Sequence, residues 1–449
     1  MNAQLPQNEN EVAVIGGGLA GLTAACYLAK AGVAVSLFEK SSGLGGRAIT
    51  SNYDQYRFNR GIHALYCGGA AEQVLEELQI PYTGHQPKDL FVLCEGKLYP
   101  FPSNPVSMLT TGLLSVGDKF ELMGLFSGLA RLKAEELSRV SIEEWLNRAV
   151  HRHRLRRFME ATARTFVYSA ALNLVSADIL INKLKAQLKH PILYLDDGWQ
   201  VLVDGLRLSA PLPGVRIVTG ARVEAIEPEA GRVQAIRFQD GTEKRVAAVI
   251  IAAEPRAVTK LVDAEFCPEL HSFINSNPPG RIACLDVALT RLPDPQHPIV
   301  QDLSEARFIS AQSVYSRVAP GEGALIYTFK QLDPAHPSDP QQDERELEDL
   351  LDKVQPGWRK FVVKRVFMPR IEAMGVLPTV ESGGLSGRPG SRISGLTNLY
   401  LAGDWIGPEG FLADASFASA RKAANILLEE QARAVMPVAG KKSFTGALR

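Results

Sequence analysis

Residues 11–21 read EVAVIGGGLAG, and their reading decides the fold. Glu11 to Ile15 is a short, β-branched apolar run. A glycine-rich turn follows, then an Ala/Leu-rich helical stretch to about Ala31. A second apolar run, Val33 to Phe38, ends at Glu39. The order strand, turn, helix, strand is a βαβ unit, which sets the two strands parallel. Gly16, Gly18 and Gly21 take the glycine places of G-x-G-x-x-G. The first permits the tight turn, the second lets the backbone approach a pyrophosphate, and the third lets helix and strand pack closely. The helix start, at Leu19 and Ala20, offers free N–H groups and a positive dipole end to phosphates. Glu39, eighteen residues beyond Gly21, stands at the strand tip, where a carboxylate accepts the hydroxyl hydrogen bonds of a ribose. This motif alone does not separate NAD from FAD.

A second motif follows directly: Ser42-Gly43-Leu44-Gly45-Gly46-Arg47. A glycine pair and an arginine after the ribose carboxylate suit a loop running close under a long dinucleotide. Arg47 is placed to give charge-assisted hydrogen bonds to the pyrophosphate. An NAD site does not need this loop, so FAD is the expected cofactor. The third motif lies near the other end of the chain, at Leu399-Tyr400-Leu401-Ala402-Gly403-Asp404-Trp405. A buried strand ending in Gly-Asp points a carboxylate at a ribityl hydroxyl. A Gly/Pro loop (Gly407, Pro408, Gly410) leads to Phe411-Leu412-Ala413-Asp414-Ala415-Ser416, where a helix is predicted to begin with Asp414 or Ser416 as its cap. Its positive end would face the flavin N1/C2 edge and favour negative charge there.

These three motifs in this order resemble an FAD-dependent superfamily that contains monoamine oxidases, protoporphyrinogen oxidases and bacterial phytoene-type carotenoid desaturases. The resemblance runs over most of the chain and is strongest at 11–65 and 395–428. A middle segment, Asp197-Gly198-Trp199-Gln200-Val201-Leu202-Val203-Asp204-Gly205-Leu206, is similar to the family's Gly-Gly-x-x-x-Leu helix start, and 215–253 to its returning strands. Phe58-Asn59-Arg60-Gly61-Ile62-His63 resembles a Gly-x-His stretch close to the flavin. The resemblance implies cofactor contacts at Gly16, Gly18, Leu19, Ala20, Gly21, Glu39, Lys40, Gly46, Arg47, Val223, Gly403, Asp404, Leu412 and Ala413, with the adenine against the backbone at Val223. It makes His63 the candidate acid/base residue, beside the reading of His63 as a structural histidine. Trp199 and Tyr66 are read as core residues first and cavity walls second. Ala415 stands where the family usually has Gly, and Ser419-Ala420 where it has Ser-Gly; both are small, so close approach survives. No cysteine lies in the last motif, so FAD is expected to be held non-covalently. Leu412 takes the place of an aromatic found in some relatives, which weakens an aromatic-cage amine oxidase.

The implied fold class is α/β: a Rossmann-type FAD-binding domain with a discontinuous α+β substrate domain carrying a mostly helical insert. The FAD-binding domain would be assembled from 10–80, 190–265 and 375–432, the substrate domain from 81–189 and 266–374, and 433–449 would be a flexible tail. Strands are expected at Leu90–Cys94, Lys97–Phe101, Val215–Val218, Val223–Ile226, Val233–Phe238, Val246–Ala252 and 395–402, with a hairpin turn at Asp240-Gly241. Residues 106–186 should be largely helical, with a capping box at Ser141-x-x-Glu144 and a solvated basic run at 151–157. Residues 281–331 read as strands of a second sheet, 332–345 as a loop, and 414–430 as the last helix.

The expected function is an FAD-dependent desaturase or dehydrogenase taking hydride from an apolar, polyene- or porphyrinogen-like substrate to flavin N5. A flavin amine oxidase is the alternative. A non-catalytic binding protein like the GDP-dissociation inhibitors is less favoured, because Gly403-Asp404 is intact. The electron acceptor has no motif of its own. Lys plus Arg and Asp plus Glu both number 49 in 449 residues, a balance that argues against a nucleic-acid partner. The five scattered cysteines suggest neither disulfides nor a zinc site. Neither a signal peptide nor an apolar run of membrane-spanning length is visible. The chain therefore reads as cytoplasmic; its Leu/Met/Phe-rich stretch 105–132 is read first as a buried helix pair and second, as the resemblance implies, as a substrate entrance or a patch for peripheral membrane contact.

Overall fold

The computed structural model describes residues 10–209 and 214–435. Five short strands form a parallel sheet in the order Val215–Thr219, Val35–Glu39, Val12–Ile15, Ala248–Ile251, Leu399–Leu401. Such strands, buried on both faces, read as unbroken apolar runs rather than alternating ones. The alternation survives in where each side chain packs. Val12, Val14, Val35, Leu37, Ala248, Ile250 and Tyr400 pack on one face, against the helices Leu19–Lys30, Gln200–Leu208 and Ala413–Val435. Ala13, Ile15, Phe38, Val249, Ile251, Leu399 and Leu401 pack on the other, against an antiparallel three-stranded sheet (Val223–Glu229, Arg232–Phe238, Glu243–Arg245) and the helix Pro255–Leu261. Alanines at 24, 25, 420, 423 and 424 sit where the first and last long helices meet, which lets their backbones come close.

A second, seven-stranded sheet has the order Val362–Met374, Gly280–Leu289, Ala324–Gln331, Arg307–Ala311, Ile299–Asp302, Leu90–Cys94, Lys97–Pro100. Its two faces also divide by alternation. Ala283, Leu285, Val287 and Leu289 pack under the helix Pro340–Val354. Ile282 and Cys284 face the opposite way, toward Tyr194, Phe308 and Phe329. Between the strands of this sheet the chain inserts the helices Pro105–Thr110, Val116–Leu129, Ile142–Ala149, His153–Val167 and Ala177–Gln187, which share their own apolar core. The protein is thus α/β, with a parallel sheet of dinucleotide-binding type beside a mostly antiparallel sheet and a helical insert.

Several expectations need correction. Residues 340–345 are not loop: Pro340 takes the first helical position behind the Asp339 cap, so the polar run opens a helix. The Ser141 motif makes half of a capping box; the Ser141 hydroxyl accepts from the Glu144 N–H, but the Glu144 side chain pairs with Arg148 instead. The 246–252 strand is shorter, Ala248–Ile251, with a separate short strand Glu243–Arg245 before it. Of 395–402 only Leu399–Leu401 is strand. The basic run is only partly solvated, since Arg154 and Arg156 donate to the backbone carbonyls of Leu113 and Val150. The last helix continues to Val435, so 433–435 are not tail; the remainder of the expected tail lies outside the described residues. All five cysteines are free.

Candidate active site

One cavity of about 640 Å³ opens at the carboxyl ends of the parallel strands. All the residues singled out for cofactor contact line it except Gly21, and His63 lines it too. Gly21 lies just beneath: a Cβ there would stand 1.8 Å from the Gly16 carbonyl oxygen, so the position admits only glycine. Gly18 is the opposite case. A Cβ there would meet no protein atom within 4 Å, so the space over its backbone belongs to the cavity. The helix Leu19–Lys30 starts at Gly18 without a side-chain cap, which leaves its first N–H groups facing that space.

The second glycine loop is seated directly on the first. The Gly45 N–H donates to the Gly17 carbonyl at 2.8 Å, and Gly18 and Gly45 form a parallel bridge. Gly45 has φ +116°, a left-handed conformation open to glycine. Glu39 is buried at the strand tip, where its two oxygens accept from the N–H groups of Gly17 (2.7 Å) and Ser41 (2.8 Å). These bonds fix the carboxylate toward the cavity and leave a lone pair on each oxygen. Lys40 pairs loosely with Glu254 at 3.8 Å, and Val223 begins the antiparallel sheet at the cavity edge.

Arg47 does not stand alone. Its guanidinium forms a bidentate pair with Asp404, Nη1 to Oδ2 at 2.9 Å and Nη2 to Oδ1 at 2.6 Å, and also donates to the Ala373 carbonyl. Burial alone would push the Asp404 carboxyl up, but the Arg47 charge and hydrogen bonds and the Gly375 N–H hold it below the usual carboxylate range. Arg388, unmarked by any sequence motif, holds the same loop by donating to the carbonyls of Asp404 (2.9 Å) and Gly410 (2.8 Å). The Ser419 hydroxyl accepts from the Gly403 N–H and donates to the Gly403 carbonyl. The capping expectation for Asp414 is corrected: its carboxylate accepts from the Ala71 N–H and so caps the neighbouring helix Ala70–Glu77. The last helix is instead begun by the Leu412 carbonyl, which accepts from the Ser416 N–H and hydroxyl, with Leu412 at φ +56°.

Beyond Asp404 the cavity wall turns apolar: Ile62, Ala64, Tyr66, Tyr168, Trp199, Ile282, Ile371 and Leu412. The His63 ring lies 4.9 Å from that of Trp199, centroid to centroid, with Nδ1 3.0 Å from the Gly61 carbonyl. Burial pulls the His63 pKa below its ordinary value, so the ring is neutral at neutral pH. With Nδ1–H donated to Gly61, Nε2 is the nitrogen able to take a proton. The buried Trp199 Nε1 has no protein acceptor. The Gly18 opening and the fixed Glu39 carboxylate fit an FAD running from Val223 to Ala413. The sequence missed Tyr168, Ile282 and Ile371, because strand and helix cap deliver them from distant segments.

The family model described as flavin containing amine oxidoreductase matches residues 19–428. The chain is 22% identical over 466 residues to a 4,4'-diapolycopen-4-al dehydrogenase of Metabacillus indicus, covering 89% of this chain and 93% of that protein. A shorter stretch of 83 residues is 42% identical to a carotenoid 3,4-desaturase of Haloarcula japonica, covering 18% and 16% of the two chains. The solved structure of an oxidoreductase from Methanosarcina mazei superposes with a TM-score of 0.75 at 20% identity, over 92% of this chain and 100% of that one.

Glu39→Ala and Asp404→Ala should each weaken FAD binding. Each removes a charged acceptor, worth on the order of 1.5–3 kcal/mol, or about ten- to a hundredfold in Kd. Fluorescence titration of the apoprotein with FAD measures this. A variant that binds as tightly as wild type would remove its residue from the site.

Proposed function

The chain belongs to the flavin containing amine oxidoreductase family, and from that premise we propose that this FAD-dependent oxidoreductase takes a hydride from an extended apolar substrate of polyene type. The observation that carries the reading is the wall beyond Asp404. Ile62, Ala64, Tyr66, Tyr168, Ile282, Ile371 and Leu412 give it an apolar and aromatic lining. A flavin amine oxidase would hold its amine between aromatic rings, and Leu412 stands where one of those rings would be. The names of the Metabacillus and Haloarcula relatives, each of carotenoid type, support the same substrate class.

Bound FAD supplies a hydride acceptor at N5. The protein's part is to hold, orient and keep dry. In this reading Glu39 takes the adenosine ribose, the N–H groups at Gly18 to Ala20 take the pyrophosphate, and Asp404 takes the ribityl chain. The apolar wall aligns the substrate and excludes water. Neutral His63, oriented by Gly61 and Trp199, is the group placed to accept the substrate's proton. The domain division belongs to the same reading: segments 10–80, 190–265 and 375–432 carry the cofactor, and 81–189 with 266–374 supply the substrate side. It is supported by the two sheets, which draw their strands from those two sets of segments.

Delivery of such a substrate suits a membrane surface. Among the described residues no helix is long and apolar enough to cross a bilayer. Val106, Leu109, Val116, Phe120 and Met123, on the two helices of 105–129, are exposed by 47–77%. They account for half of the exposed large hydrophobic side chains of the described residues. Arg152 packs against Gly117 on the second of these helices, and Arg154 reaches Leu113, so basic groups border the patch. An apolar patch with a cationic border fits an anionic lipid surface.

Two experiments test this. Anaerobic mixing of the holoprotein with an acyclic polyene, a porphyrinogen and a primary amine should bleach the flavin with the polyene; bleaching by the amine alone would overturn the substrate class. In flotation assays the protein should rise with vesicles containing anionic phospholipid. A Leu109→Asp/Phe120→Asp double variant should stay behind, and equal flotation of the two proteins would refute the membrane contact.

A further inference from the structure

Lys183 lies in the helix Ala177–Gln187 with its side chain turned inward and only 7% exposed. Its Nζ donates one hydrogen bond, to the Phe166 carbonyl at 2.9 Å. Otherwise aromatic rings surround it: Tyr66 at 4.1 Å from the ring centroid, Phe411 at 4.5 Å, Tyr168 at 5.6 Å and Phe166 at 6.0 Å. Tyr66 and Tyr168 are walls of the flavin cavity, and Phe411 directly precedes Leu412 and Ala413, which line it as well. Tyr168 is held at φ +52°, a conformation that costs a non-glycine residue energy and persists where the surroundings enforce it. We propose that Lys183 is a positioning residue of the flavin site: its buried ammonium grips the ring faces of Tyr66 and Phe411, fixing the aromatic wall and the start of the last helix, and sets the potential there.

The charge is conditional. Burial pulls Lys183 down to about 7, against the opposing pull of Asp414. Burial pushes Asp414 up to about 6, with Glu72 and Glu409 facing it and adding to the rise, while the Ala71 N–H and Lys183 oppose it. Tyr66 and Tyr168, packed on the ammonium, are both raised by burial and stay neutral. The cluster of Lys183 and Asp414 therefore passes from net positive below pH 6 to net negative above pH 7, one residue from Ala413. A positive charge at this end of the site favours the reduced, more negative form of a flavin.

This inference rests on FAD occupying the cavity. The test follows the midpoint potential of bound FAD from pH 5.5 to 9 by dye-coupled reductive titration. Wild type should show a break in slope near pH 7. Lys183→Met should lose the break and follow the low-potential limb. Lys183→Arg, charged throughout, should lose it and follow the high-potential limb. Tyr66→Leu removes the ring under the ammonium and should move the break to lower pH. Raising the pH from 7 toward 10 should also stabilise wild type relative to Lys183→Met in thermal unfolding, because the folded lysine sheds its proton before the unfolded one does. If Lys183→Met does not fold, the arginine and Tyr66 variants still decide. A break kept unchanged in the arginine variant, or an unshifted break in Tyr66→Leu, overturns the proposal. A wild-type protein that takes up no flavin would instead refute the cofactor assignment on which it rests.

Discussion

The bidentate pair of Arg47 and Asp404 joins residues 357 positions apart in sequence, and the site depends on it. Arg47 closes the second glycine loop, which is seated on the first through Gly45 and Gly17. Asp404 closes the last strand of the parallel sheet. The pair can form because the order of that sheet places Leu399–Leu401 beside Ala248–Ile251, itself beside Val12–Ile15. The Asp404 side chain is only 3% exposed, so its charge needs a partner to be tolerated there. Arg388 and Ser419 fix the backbone on either side of it. The first and last motifs, unrelated in sequence position, thus become two halves of one dinucleotide site.

The substrate side follows from a different regularity. Each strand of the seven-stranded sheet presents alternate residues to opposite faces. In Gly280–Leu289 the odd positions from 283 to 289 lie under the helix Pro340–Val354, and Ile282 and Cys284 face the cavity side. Val362–Met374 contributes Ile371 to the cavity wall and Arg370 to the opposite side, where it donates to the Ser338 carbonyl. The part of this wall on Gly280–Leu289 is rigid, since that strand is tied on both sides by the ladder, and the edge strand Val362–Met374 is tied to it along one side. That suits alignment of an extended substrate better than a mobile loop would.

What could be read from the sequence was whatever a local pattern encodes. The glycine spacing at 16–21, the Glu39 tip, the 42–47 loop and Gly403-Asp404 each carry their meaning within a few residues, and the structure gathers them around one cavity. The failures have physical causes. Val362–Met374 carries Lys364, Arg365, Arg370 and Glu372 because it is an edge strand with a half-exposed surface, so it does not look like a strand. The helix from Pro340 was hidden by its own N-terminal signals, since proline, aspartate and glutamine serve a helix start as readily as a loop. Asp414 caps a helix more than 300 residues away in sequence, a partner that no local pattern names. Lys183 did leave a trace. It stands three and four residues after Leu180 and Ile179, on the buried face of its helix, where a lysine is out of place.

The most direct test of this account is a double-mutant cycle on FAD affinity with Arg47→Ala, Asp404→Ala and the pair, measured by equilibrium titration of the apoproteins. Two groups in bidentate contact that serve one cofactor should couple, so the double variant should lose clearly less affinity than the product of the two single losses. Strict multiplication of those losses, or a single variant with wild-type affinity, would contradict the joining of the two ends of the chain into one flavin site.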